Sequence, residues 1–312
     1  MSTGNARTAF GQPARMAVVL MAVAMFVAAC GGSTSSMSPS ASPSADTSCT
    51  PENLALKSAG VLLIGTDNPA YSPWFQGGND GADTTPWAGD YNNDPQKGQG
   101  YEGAVAYAIA DQLGFTPEQV TWVVVTFDQA LAPGEKAFDI LLNQVSIKPE
   151  RAEAVDFSNG YYDVAQGVVT VEGSPIAGAT SIAELKGAKL GTQIGTTSYD
   201  AIVNIIKPDQ EPAVFNTMDE AVAALDAGQI DGIVADVPTT FYMRDAQLSG
   251  GVIIGQLAGT DAGAEQFGVV LQKGSPLTAC VNTAIDALKA DGTLDALLLE
   301  WFGGSGSAPI IE

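Results

Sequence analysis

NQVSIKPERAEAVDFSNGYY, residues 143–162, is the stretch from which the fold is read. An apolar run (Phe138, Ile140, Leu141, Leu142) stops in small polar residues, and Pro149 then opens a short turn that carries Arg151. A strand ending at Ser146, followed by a helical turn with an arginine, is a mount for an anion. Backbone N–H groups and a hydroxyl face outward, and the guanidinium grips a carboxylate through two parallel hydrogen bonds. On this stretch alone a surface arginine paired with Glu150 or Asp156 fits as well.

The surrounding chain narrows the choice. Its 312 residues, 46% hydrophobic, are ample for one large or two modest domains. A formal charge of -22 argues against nucleic acid, which requires clustered Lys and Arg, and fits a chain kept soluble by self-repulsion outside the cell. Histidine is absent. That removes the commonest general base, the Ser-His and Cys-His nucleophile pairs and the commonest metal ligand. No catalytic residue, metal site or cofactor is expected.

Residues 1–29 read as a secretion signal: Arg7 and Arg15 lead, and the apolar run Met16 to Val27 is too short to span a bilayer. The segment ends Val27-Ala28-Ala29-Cys30 and resembles a bacterial lipobox. That resemblance implies cleavage before Cys30, a diacylglyceryl group on its thiol, and a protein anchored on the outer face of the cell membrane. Residues 30–50, rich in Ser and Pro, form a tether whose composition cannot build a core. Of the remaining cysteines, Cys49 and Cys280 form an even pair in an exported chain, which favours a disulfide. Cys280 also fits as a small buried residue on a helical face between Leu277 and Ala284.

From Leu54 the pattern is globular. Strands are expected at 61–65, 120–125 and 138–142, with a helix over 103–113 and a short connection from Phe127 to Gly134. A second unit follows: strands at 167–171, 188–194, 214–215, 230–237 and 252–254, with helices opened by Ser181 and Thr217 capping boxes. A strand at 267–271, a helix over 277–289, a last helix capped by Thr293 and a loose tail at 304–312 complete the chain. Strand–helix–strand repeats predict parallel sheets.

Three segments together resemble the extracellular solute-binding proteins of bacterial ABC importers, in the subgroup (family 3) that binds polar amino acids. They are GTDNPAYSPW (65–74), the opening stretch from Ser146 to Tyr162, and GAKLGTQIGTT (187–197). KGSP (273–276), KADGTL (289–294) and WFG (301–303) fit too. The resemblance covers roughly residues 58–303 and implies an α/β, two-lobed periplasmic-binding-protein fold of type II, with two crossover strands at the hinge. Lobe one would be 51–167 plus 266–312, lobe two 168–265. The implied partners are a free amino acid, an ABC permease with its ATPase, and the membrane through the lipid anchor; the implied state is a monomer.

Carried over residue by residue, the resemblance assigns Arg151 to the ligand's α-carboxylate, with Ser146 and Thr197 as hydroxyls in the same anion site. Asp236, in VADV (234–237), would accept the α-ammonium. Tyr71, Trp74 and Phe127 would wall the side chain, and Asp67 would meet a polar or basic tail. Alternatives stand beside these: Asp236, Thr197 and Asp67 fit caps of local turns, and Tyr71 and Trp74 fit a lobe core. Gly195-Thr-Thr-Ser lacks the lysine of a P-loop, which argues against nucleotide.

The chain departs from the family pattern in places. Lys148 replaces a common threonine, Tyr101-Glu102 stands for the usual Phe-Asp, and the 77–100 segment, with Trp87 and Tyr91, is long enough to lid a cleft or meet a permease. Glutamine and a basic amino acid lead as ligands. A dehydratase-like enzyme on the same fold and a ligand-sensing surface protein are the alternative functions; the absence of a transmembrane or kinase segment argues against signalling in cis.

Overall fold

The computed structural model describes residues 49–78, 86–87, 93–258, 265–303 and 308–312. The leader, Cys30, nearly all of the tether and Tyr91 lie outside the described residues. In chain order the elements are β1 (Leu62–Thr66), α1 (Tyr101–Gln112), β2 (Val120–Val124), α2 (Phe127–Leu131), β3 (Ile140–Leu141), α3 (Pro149–Ala152), β4 (Val155–Val164) and β5 (Gln166–Val171). There follow β6 (Leu190–Gln193), α4 (Thr197–Ala201), β7 (Ala213–Phe215), α5 (Met218–Asp226), β8 (Gly232–Asp236), α6 (Val237–Tyr242) and β9 (Gly251–Leu257). The chain closes with β10 (Glu265–Gln272), α7 (Thr278–Ala290), α8 (Thr293–Phe302) and β11 (Ile310–Ile311).

Two sheets result, ordered β2-β1-β3-β10-β4 and β11-β9-β5-β8-β6-β7. Each has a parallel centre (β2-β1-β3 and β7-β6-β8) to which antiparallel strands are added. The chain passes from the first sheet to the second between β4 and β5, at Ala165, and the first sheet regains it at β10.

Alternation along each strand explains why both faces are covered. Val168 and Val234 pack into one apolar cluster with Leu185, Ile202 and Ile254; their neighbours Val169 and Ile233 pack into another with Ala221, Leu225 and Met243. The first sheet divides in the same way, with Ile140 and Leu142 on the face of α1, α7 and α8 and Leu141 on the other. Cys49 and Cys280 are joined in a disulfide that ties the start of the described chain to α7.

Four expectations differ from the structure. Residues 155–164 form a ten-residue strand, which their polar Ser158-Asn159-Gly160 centre conceals. Phe127–Leu131 is a short helix with Thr126 and Gln129 as its capping box. Thr293 is the first residue of α8, and the cap position belongs to Gly292 at φ 80, a left-handed conformation that suits glycine. The tail is not loose throughout, because β11 pairs parallel with β9 of the second sheet.

Candidate functional site

A cavity of about 420 Å³ lies at the carboxyl ends of the parallel strands of both sheets. Its lining comes from the segments directly after β1 (Asp67), β2 (Thr126), β3 (Asn143), β6 (Thr196), β7 (Asn216) and β8, whose last residue is Asp236. Open α/β sheets place ligand groups there because the loops at that end are free to vary while the strands hold them fixed. Arg151, Asp236, Thr197, Ser146, Asp67, Tyr71, Trp74 and Phe127 all line this one cavity.

One end of the cavity carries Arg151, Ser146 and Thr197. The Arg151 guanidinium donates to the Ser146 carbonyl and to the Gly195 carbonyl, each at 2.8 Å, and lies 5.4 Å from the centre of the Phe127 ring. Burial lowers its pKa from the usual value while Glu265 and Asp200 oppose that change. Ser146 Oγ is 3.3 Å from Thr197 Oγ1, and Gln166 Nε2 donates to the same threonine oxygen at 3.4 Å. Ser146 also donates to the Glu265 carboxylate. At the rim, Lys148 Nζ meets Asp200 at 2.6 Å.

Asp236 lies on the wall of the same cavity. It ends β8 and caps α6 by accepting from the Thr239 N–H at 3.1 Å, so its capping role is real and leaves other carboxylate lone pairs for the cavity. Burial pushes its pKa up to about 6, with Glu265 adding to the effect.

At the other end Asp67 accepts from the N–H groups of Asn68 at 2.7 Å and Phe127 at 3.2 Å, and burial raises its pKa. Tyr71 donates across the cavity to Asp219, whose second oxygen accepts from Gln247 at 3.3 Å. The Tyr71 and Tyr242 rings lie 6.1 Å apart. Trp74 is a core residue, 1% exposed, set edge-on to Tyr162, Phe267 and Phe302; only its rim reaches the cavity, where Nε1 donates to Thr239 at 2.9 Å. Trp87 is likewise buried in the core.

Sequence reasoning missed Gln166, Glu265, Asp219 and Gln144. Asp219 sits in the first turn of α5, beside the Thr217 cap, where acidic residues are ordinary. Gln166 and Glu265 lie at strand starts with no motif around them, and only the pairing of β4, β5 and β10 brings them to the site.

A profile of the bacterial extracellular solute-binding proteins, family 3, matches residues 81–304. The L-arginine-binding protein of Pseudomonas aeruginosa is 30% identical over 210 residues, covering 65% of this chain and 79% of that protein. The L-cystine-binding protein TcyJ of Escherichia coli K12 is 28% identical over 257 residues, covering 80% and 85%. Among solved structures, an ancestral arginine-binding protein bound to arginine superposes with a TM-score of 0.59 at 27% identity, covering 78% of this chain and 99% of that one. The two-sheet architecture is that of the type II periplasmic binding proteins.

Proposed function

This chain belongs to the bacterial extracellular solute-binding proteins, family 3, and on that premise we propose that it captures a cationic amino acid, arginine foremost, and delivers it to an ABC permease. Charge balance in the cavity carries this reading. Among the described residues lining it, Arg151 is the single cation, set against Asp67, Asp128, Asp219 and Asp236. The α-carboxylate of an amino acid pairs with Arg151, and its α-ammonium with Asp236. A zwitterion needs one fixed charge of each sign, both desolvated and hydrogen-bonded. Three aspartates then remain around the side chain. A cationic tail offsets part of their charge; an amide tail, as in glutamine, offsets none of it.

Contacts that cross the cavity support closure around the solute: Arg151 with Gly195, Tyr71 with Asp219, Trp74 with Thr239 and Lys148 with Asp200. In this reading lobe two, 168–265 together with Ile310–Ile311 on β9, closes on the rest of the folded chain. The relatives' names are those of binding proteins, which supports capture without turnover. The lipobox reading of Cys30 adds a lipid anchor on the outer face of the membrane, and the family resemblance adds a monomeric state.

Isothermal titration of the purified protein, stripped of carried ligand, against the twenty amino acids tests the reading. Arginine or lysine should give the tightest binding. Heat from neither of them would sink it.

A further inference from the structure

Glu102 is fully buried on the first turn of α1 and lies outside the ligand cavity. Three neutral donors point at its carboxylate: the Gln144 N–H at 2.7 Å, the Gln144 side-chain amide, and the Tyr161 hydroxyl. Gln144 has φ 47, the left-handed region that glutamine seldom occupies, and it lines the cavity together with Asn143 and Ser146. One carboxylate therefore fixes both the backbone and the side chain of the residue at the turn leading into the anion-binding Ser146.

Resting on the amino-acid reading above, we infer that Glu102 is a positioning residue for the ligand site: its ionised carboxylate holds Gln144 in place, so that ligand binding is linked to loss of a proton from Glu102. A protonated carboxyl carries a donor of its own, and all three neighbours are donors toward it. One neighbour must then turn from donor to acceptor, by rotation of the Tyr161 hydroxyl or a flip of the Gln144 amide, and the bonds to Gln144 lose the charge that strengthened them, so its hold loosens. The titratable groups that face Glu102 are Tyr161 on β4, Tyr101 beside it on α1, and Asp236 at the end of β8. Asp236 ties the linkage to the ligand. Its negative charge disfavours ionisation of Glu102, and a bound ammonium cancels that charge. Burial already brings Glu102 up to about 7, within the range where small changes matter. The bound protein therefore holds the carboxyl more weakly protonated than the free protein does, and affinity falls as pH falls through that range.

The experiment measures the Kd for arginine from pH 5 to 8.5 on the whole protein, beside a ¹³C titration of the Glu102 carboxyl with and without saturating arginine. The wild type should lose affinity in an upper step near neutrality, approaching roughly tenfold per pH unit for one linked proton, and in a lower step from Asp236. Tyr161→Phe removes one donor and should move the upper step to higher pH. Glu102→Gln should abolish that step and leave the lower one. Should Glu102→Gln fail to fold, Tyr161→Phe and the carboxyl titration decide. A Glu102 carboxyl that titrates at the same pH with and without arginine overturns this inference alone. Absence of binding by every amino acid at every pH overturns the function reading and this inference with it.

Discussion

Arg151 reaches across the cavity to Gly195, giving one guanidinium nitrogen to that carbonyl at 2.8 Å and another to Ser146 at 2.8 Å on its own side. The planar fork thus spans the opening and still has N–H groups to offer a carboxylate. Arg151→Ala should weaken arginine binding by about 2–5 kcal/mol, because a desolvated carboxylate loses its charged partner. Arg151→Lys should recover little, since a point charge cannot serve both carbonyls and the ligand. Titration calorimetry reads both variants, and an unchanged Kd in the alanine variant would refute the anion site.

Asp236 predicts a trade between stability and binding. Its folded pKa is raised from 3.8 to about 6. The unfolded chain therefore sheds the proton first as pH rises, stability falls between those values, and it stays lower above them. Asp236→Asn removes the buried charge and keeps the cap on α6, because asparagine caps helices as well as aspartate does. The ligand-free variant at pH 7.5 should gain about 1–2 kcal/mol, a rise in Tm of roughly 2–6 °C. Arginine affinity should fall by at least about 2 kcal/mol. Calorimetric melting with and without ligand tests both directions; a lower Tm in the ligand-free variant would contradict the assignment.

The Cys49–Cys280 disulfide closes a sequence separation of 231 residues between the start of the described chain and α7. Neither cysteine lines the cavity. Reduction should cost about 2–5 kcal/mol of stability and leave the arginine Kd at 25 °C unchanged. Melting curves with and without reductant, paired with titrations in the same buffers, separate the two effects.

What could be read before the structure followed from periodicity. The parallel strands and the helices of both sheets announce themselves through apolar runs and capping boxes, and the 143–162 stretch carries Ser146 and Arg151, which line the cavity. β4 did not announce itself. Asn159 in its middle is spent sideways, its N–H on Asn282 at 2.7 Å and its amide on Asp286 of α7, and a Cβ on Gly160 would come within 2.5 Å of the Gln266 side chain. A strand whose polar residues serve a neighbouring helix and whose glycine serves close packing reads as a turn. Trp74 shows two roles in one residue. Its place beside Tyr71 in the loop after β1 suggests a ligand wall or a lobe core; four aromatic neighbours hold it in the core while its rim lines the cavity. Asp219 was invisible for a third reason: a contact with a residue 148 positions away leaves no local pattern.

Ligand choice should rest on Asp67 and Asp219, which approach the side-chain end from the two sheets. Asp67 is partly buried, and its carboxylate is oriented by two backbone N–H groups. Asp219 is exposed, held by Tyr71 and Gln247. Water screens an exposed charge more, so the two should contribute unequally. Asp67→Asn should weaken arginine binding by about 1–3 kcal/mol, the range for a hydrogen bond to a charged group. Asp219→Asn should cost about 1 kcal/mol or less, and more of that loss should disappear at high salt. Neither change touches Arg151 or Asp236, so affinity for glutamine, which lacks the cationic tail, should stay level or improve. The ratio of the two Kd values reports this selectivity in each variant. If both amino acids weakened equally, the aspartates would be acting on the shape of the site and not on the charge of the tail.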